Sequence, residues 1–118
     1  MLLRLSPYLI FPSCLFIVAA WWEHPLAVLA ALLALSIVAI AVAPSRRVAG
    51  AMWLTAAVAG PTAEGIAIAA GAWTYAGPSQ LAGVPAWLPP LWGLAGLFFL
   101  SAAGKLTARL TLAPETDH

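Results

Sequence analysis

One carboxylate stands alone in apolar sequence: Glu64 lies between Trp53 and Trp73, with no other charged residue from Val48 to Gly104. If a helix carries it into lipid, the charge costs roughly 2.5 to 3.5 kcal/mol on insertion scales, so the group must face the protein interior and find a partner. Trp73, Tyr75, Trp87 and Trp92 follow soon after, residues whose ring faces attract cations and whose polar edges donate hydrogen bonds. Three chemistries are open to this set. A neutral Glu64, bonded to Thr55, Thr62, Ser36, Ser101 or a carbonyl freed by Pro61, would be structural. As a general acid it would protonate a lipid-soluble substrate while the rings stabilise the developing cation. Third, it would serve as a proton or ligand site. The four aromatics likewise read either as an interfacial belt or as a ligand cage.

Other chemistries find little footing. Cys14 is the lone cysteine, which excludes an internal disulfide, a CxxC pair and a cysteine-built metal cluster, and it reads as a small buried helix residue. His24 has only Glu23 beside it and the other histidine, His118, is at the end of the chain, so a haem held between two transmembrane histidines is not expected. No Gly-rich phosphate loop, Ser-His-Asp set or paired carboxylates occur, and no metal or cofactor is expected. The formal net charge is +1 and the basic residues are scattered, which argues against nucleic acid as a partner.

The elements that must position Glu64 follow from composition. The chain has 118 residues, 64% hydrophobic and 8% charged, with a mean hydropathy of +0.98, too little polar surface for a soluble domain of this size. A spanning helix needs about 20 mostly apolar residues. Four fit here, at about 6–22, 25–42, 48–75 and 91–106, as an all-α polytopic membrane bundle forming a single domain over 1–110, with a flexible polar tail at 111–118.

Local signals mark the ends of these spans. Ser6 and Pro7 suit a helix start, and Pro12 falls inside the first span. Trp21 and Trp22 mark an interface and leave no small-x-small cleavage site, so the segment reads as retained. Ala27, Ala30, Ala31 and Ala34 place small residues along the second span, and Gly93, Gly96 and Gly104 along the fourth, which favours close helix packing. Pro44 stops one helix and Ser45 can cap the next. The third span is long, central and kinked at Pro61. With Trp73 at an interface, Glu64 would lie nine residues deeper, about 13 Å, near the bilayer midplane. Gly60, Glu64, Ile68, Gly71 and Tyr75 would share a face. The uncharged connection from Ala76 to Pro90 would lie on the membrane or fold back over the bundle. Arg4, Arg46, Arg47, Lys105 and Arg109 then fall on one side and Glu23 and His24 on the other. By the positive-inside rule the protein is a multi-pass inner-membrane protein with both termini cytoplasmic.

The pattern Gly60-Pro61, Glu64, Gly71-Ala72-Trp73-Thr74-Tyr75, Gly83-Val84-Pro85-Ala86-Trp87-Leu88-Pro89 and Leu91-Trp92-Gly93 resembles a family of small, uncharacterised bacterial inner-membrane proteins with four predicted helices. It is also distantly similar to a segment of the longer carotenoid hydratase membrane proteins, in which a Glu precedes a Gly and aromatic cluster and a Val-Pro segment. The first resemblance implies no established activity, and the second covers only part of a larger fold. Two functions of different class are therefore expected from the sequence. One is an accessory or interaction subunit, without a catalytic set, that joins another membrane protein or self-associates in the bilayer. The other is a small membrane enzyme or binding protein for an isoprenoid, carotenoid or other lipid, with Glu64 as the acid and Trp73, Tyr75, Trp87 and Trp92 around the ligand.

Overall fold

Proline, serine and glycine set the helix limits in the computed structural model, which describes residues 2–75, 81 and 83–112, with side chains for residues 7–75, 81 and 83–111. Among the described residues the chain is all-α: α1 Leu2–Trp21, α2 Pro25–Ala41, α3 Arg46–Ala69 and α4 Leu88–Leu112. Pro25 stands at the first turn of α2, and Pro89 and Pro90 stand in the first turn of α4, where their missing N–H groups have no helical partner to lose. Ser45 caps α3 in an extended conformation, its hydroxyl accepting the N–H of Val48 at 3.2 Å. Helix α1 begins at Leu2, so Pro7 lies inside it together with Pro12. That differs from the start expected at Ser6. The Ser13 hydroxyl donates to the Leu9 carbonyl at 2.7 Å, just beyond the Tyr8 carbonyl that Pro12 cannot serve.

The end of α3 departs most from expectation. Gly71 takes a φ of +87°, a left-handed conformation that glycine adopts without steric cost. Its N–H donates to the Ile68 carbonyl at 2.9 Å and the Ala72 N–H to the Ala67 carbonyl at 2.9 Å, the paired bonds of a Schellman cap. The helix therefore stops at Ala69, and Tyr75 lies in the connection instead of on the last helical turn. The 24 residues of α3 span about 36 Å, with Pro61 inside. Glu64 sits only about 8 Å from the helix end, not at its middle.

The hub of the bundle is α4, not α3 as expected. It lies against all three other helices, most extensively against α3, while α1 and α2 pair with each other. Gly93, Leu94, Ala95, Gly96 and Leu97 are buried in succession, so this stretch is enclosed on every side. The core gathers Cys14 of α1, Val28 and Leu32 of α2, and Leu88, Leu94 and Leu97 of α4 around it. Gly96 meets Ala56 of α3 so closely that an added Cβ would stand 2.8 Å from the alanine methyl.

The connection into α4 folds back onto the bundle where it is described. Leu81 and Val84 exchange backbone hydrogen bonds of 3.0 and 2.8 Å across a turn that Gly83 closes with a φ of +97°. Gly83 comes within reach of Ile68 on α3, and Val84, Pro85 and Trp87 are buried. The polar tail at 111–118 lies outside the described residues from 113 onward. So do residues 76–80 and 82 of the connection and the side chains of Arg4 and Ser6.

Candidate functional site

The site is built where the last turns of α3 meet the first turns of α4. Gly60, Glu64 and Ile68 recur one turn apart on the face of α3 turned toward α4 and the returning connection. At Gly60 there is no side chain, and the indole of Trp92 occupies the space. A Cβ at that position would overlap Cδ2, Cγ and Cε2 of the ring. Seated one turn before Glu64, the indole directs its N–H to Glu64 Oε2 at 2.5 Å. The Tyr75 hydroxyl, delivered by the chain after the Schellman cap, donates to Glu64 Oε1. Trp87 meets Tyr75 edge-on, with ring centroids 5.9 Å apart and planes at 90°, and so packs against the phenol ring.

Both carboxyl oxygens thus have a donor from a different element. Their chemistry is unequal, because an indole N–H can only donate whereas a phenol can donate or accept. Oε2 is an acceptor in either protonation state of Glu64. A proton on the carboxyl group would sit on Oε1 and turn the Tyr75 hydroxyl into its acceptor. Tyr75 lies in the connection, outside the helices. Burial first, then the hydrogen bond and the charge of Glu64, hold its phenol above the ordinary tyrosine range.

Of the four aromatics singled out in the sequence, Tyr75, Trp87 and Trp92 gather around Glu64, and Trp73 is 47% exposed. The polar partners expected for Glu64 are occupied elsewhere. Thr55 donates to Ala51 O, Thr62 to Val58 O and Ser36 to Leu32 O, while Ser101 lies toward the other end of α4. The glutamate is instead satisfied by two residues read as belt or ligand cage. A second indole seat escaped the sequence reading altogether. Trp53 of α3 lies on Gly93 of α4, and its N–H donates to the buried Ser36 hydroxyl of α2 at 2.9 Å. The signal available for it was the adjacency of Trp92 and Gly93, which lets α4 present an indole and a seat for one at successive positions.

Among the described residues no three His, Cys, Asp or Glu side chains gather as metal ligands. Among the described residues the fold and the site thus define a four-helix, all-α bundle pinned between α3 and α4 by two reciprocal indole-on-glycine contacts. Compared with protein-family models, with curated proteins and with solved structures, nothing matches this chain.

Proposed function

We propose that the chain is a small multi-pass protein of the bacterial inner membrane that acts without catalysis, as an accessory or interaction subunit of a larger membrane assembly or of its own oligomer. The observation that carries the non-catalytic reading is the Glu64 carboxyl, whose two oxygens are taken by Trp92 and Tyr75 of the same chain. An acid engaged in this way fastens helices together, and among the described residues no base stands beside it to complete an acid–base pair.

The membrane assignment is supported by what the helices turn outward. Phe16 of α1, Leu26 and Ile37 of α2, Leu54 and Ile66 of α3, and Phe99 and Leu110 of α4 are each 58% exposed or more. Large apolar side chains turned outward on all four helices suit lipid better than water. Leu88–Thr111 of α4, with a mean hydropathy of 1.3, is the one helix among the described residues long and apolar enough to cross a membrane by itself. Helix α2 has 17 residues, at the short end of the usual range for a span. The exposed flank of α3, with Ala51, Thr55, Ala59, Thr62 and Ala63, is the surface through which a neighbouring helix would approach closely.

The alternative reading is a small membrane enzyme or binding protein for an isoprenoid or other lipid. It draws on one observation, the Tyr75–Trp87 aromatic pair beside the carboxyl group. Purification in mild detergent separates the two. Stoichiometric co-purification with a larger membrane protein or a second copy, unchanged in Glu64→Gln, is the expected result. A pigment or lipid bound to the wild type and lost in a folded Glu64→Gln would overturn it.

A further inference from the structure

At the end of the bundle away from Glu64 an apolar groove of about 450 Å³ opens between α1, α2 and the outer half of α4, with the start of α3 at its edge. That volume falls within the roughly 300 to 1,000 Å³ of small-molecule sites. Phe11, Ala39, Leu94 and Leu97 form its apolar bed. On α4 the lining runs from Leu94 to Ala108, about 21 Å of helix, which gives the groove the long shape of an extended chain. Gly104 lies within it and faces open space, with no atom within 4 Å of where its Cβ would be.

Among the described residues, polar groups occur at only one end of this lining. Ser101 and Lys105 of α4 and Ser45 before α3 stand there, and the Lys105 ammonium is held 4.9 Å from the centre of the Tyr8 ring. Arg46, Arg47 and Arg109 are exposed at the same end of the bundle, and among the described residues no Asp or Glu belongs to the lining or its rim. An apolar trough that ends in fixed positive charge matches an amphiphile with an aliphatic tail and an anionic head.

We propose that this groove binds one anionic phospholipid of the surrounding leaflet, with an acyl chain along Phe11, Ala39, Leu94 and Leu97 and the phosphate beside Lys105. The site rests on the membrane reading above but is separate from Glu64, since neither Glu64 nor any of its aromatic neighbours lines the groove. The lipid reaches it from the basic, cytoplasmic side, where anionic headgroups concentrate.

The test uses the full chain reconstituted in vesicles of phosphatidylglycerol and phosphatidylcholine at equal mole fraction, followed by native mass spectrometry from mild detergent. Wild type should retain one phosphatidylglycerol per chain in preference to phosphatidylcholine. Gly104→Phe places a ring in open space, so it should keep the melting temperature and lose the bound lipid. Lys105→Gln should keep a bound lipid and lose the preference for the anionic one by about fivefold. Glu64→Gln should leave both unchanged, which separates this site from the alternative function. Equal retention of lipid by Gly104→Phe, or no anionic preference in wild type, would overturn the proposal. Displacement of the lipid by inorganic phosphate alone would overturn it in favour of a free-anion site. Extraction of the chain from native membranes by alkaline carbonate would instead overturn the membrane reading, whatever lipid it binds in detergent.

Discussion

Trp92 reaches Glu64 across the α3–α4 contact, its indole N–H 2.5 Å from Oε2, because the position one turn before the glutamate carries no side chain to keep the ring away. The bond therefore depends on a glycine as much as on a carboxylate. It ties the only acid embedded in apolar sequence to the helix that packs most extensively against the rest of the bundle.

Glu64→Gln should fold. The amide oxygen can accept from Trp92 while the amide nitrogen donates to the Tyr75 hydroxyl, so both contacts survive with their directions rearranged. Glu64→Leu removes both partners at once and should lower unfolding free energy by about 1 to 3 kcal/mol for each group left unpaired. Thermal unfolding of the wild type, Glu64→Gln, Glu64→Leu and Glu64→Asp in one detergent measures this. A Glu64→Gln protein as unstable as Glu64→Leu, with Glu64→Asp intact, would show that the charge itself is required.

The glycines should divide by what surrounds them. Gly60→Ala and Gly93→Ala push a methyl group into the indoles of Trp92 and Trp53, and overpacking of this kind costs about 1 to 3 kcal/mol. Gly50→Ala and Gly65→Ala meet nothing within 4 Å on the same helix and should stabilise it by about 0.5 to 1 kcal/mol. A helix propensity effect alone would raise all four melting temperatures, and that result would remove the reciprocal seats from the account of the fold.

Much of this was legible in the residues, and the rest has identifiable physical reasons for hiding. Ser45, Pro25 and Pro89-Pro90 announce helix starts through local chemistry, and the four helices follow from apolar runs between them. Glu64 stands out because charge is rare around it. Tyr75 and Trp92 stood out as aromatics near it in the chain, but not as its hydrogen-bond donors, since Trp92 lies 28 residues away and reaches it only through tertiary packing on Gly60. The end of α3 was misplaced because the apolar sequence runs on past Ala69 through Ala70 and Ala72 to Trp73 and Tyr75 without a proline or a charge, and the single Gly71 that ends it was read as a packing residue on a longer helix. The hub role of α4 also escaped notice: long hydrophobic runs occur in every helix, and small residues mark close approach without saying how many neighbours approach.

Ser36→Ala should be costly for its size. Ser36 is 3% exposed, and its hydroxyl both donates to the Leu32 carbonyl and accepts the Trp53 N–H at 2.9 Å. The carbonyl loses little, because it keeps its helical bond, whereas the indole N–H is left without a partner in an apolar setting. A loss of about 1 to 3 kcal/mol is expected. Trp53→Phe in the Ser36→Ala background should then cost much less than in the wild type, a non-additivity that a double-mutant cycle reads directly.

The orientation of the chain gives the last prediction. Helices α1 to α4 alternate in direction, which brings the start of α3, with Arg46 and Arg47, to the same end as Lys105 and Arg109 of α4, beside the groove that Ser45 and Lys105 share. Glu23 and His24 lie at the opposite end, with the returning segment around Gly83. Positive charge in short connections is retained on the cytoplasmic side during insertion, so Arg47 should be cytoplasmic and Gly83 periplasmic. Reporter fusions that are active only in the periplasm should therefore be silent after Arg47 and active after Gly83. Moving the pair by Arg46→Gln and Arg47→Gln, with two lysines introduced beside Glu23, should reverse or mix the orientation. A wild-type fusion active after Arg47 would invert the topology, and with it place the basic groove in the outer leaflet and the Glu64 cluster toward the cytoplasm.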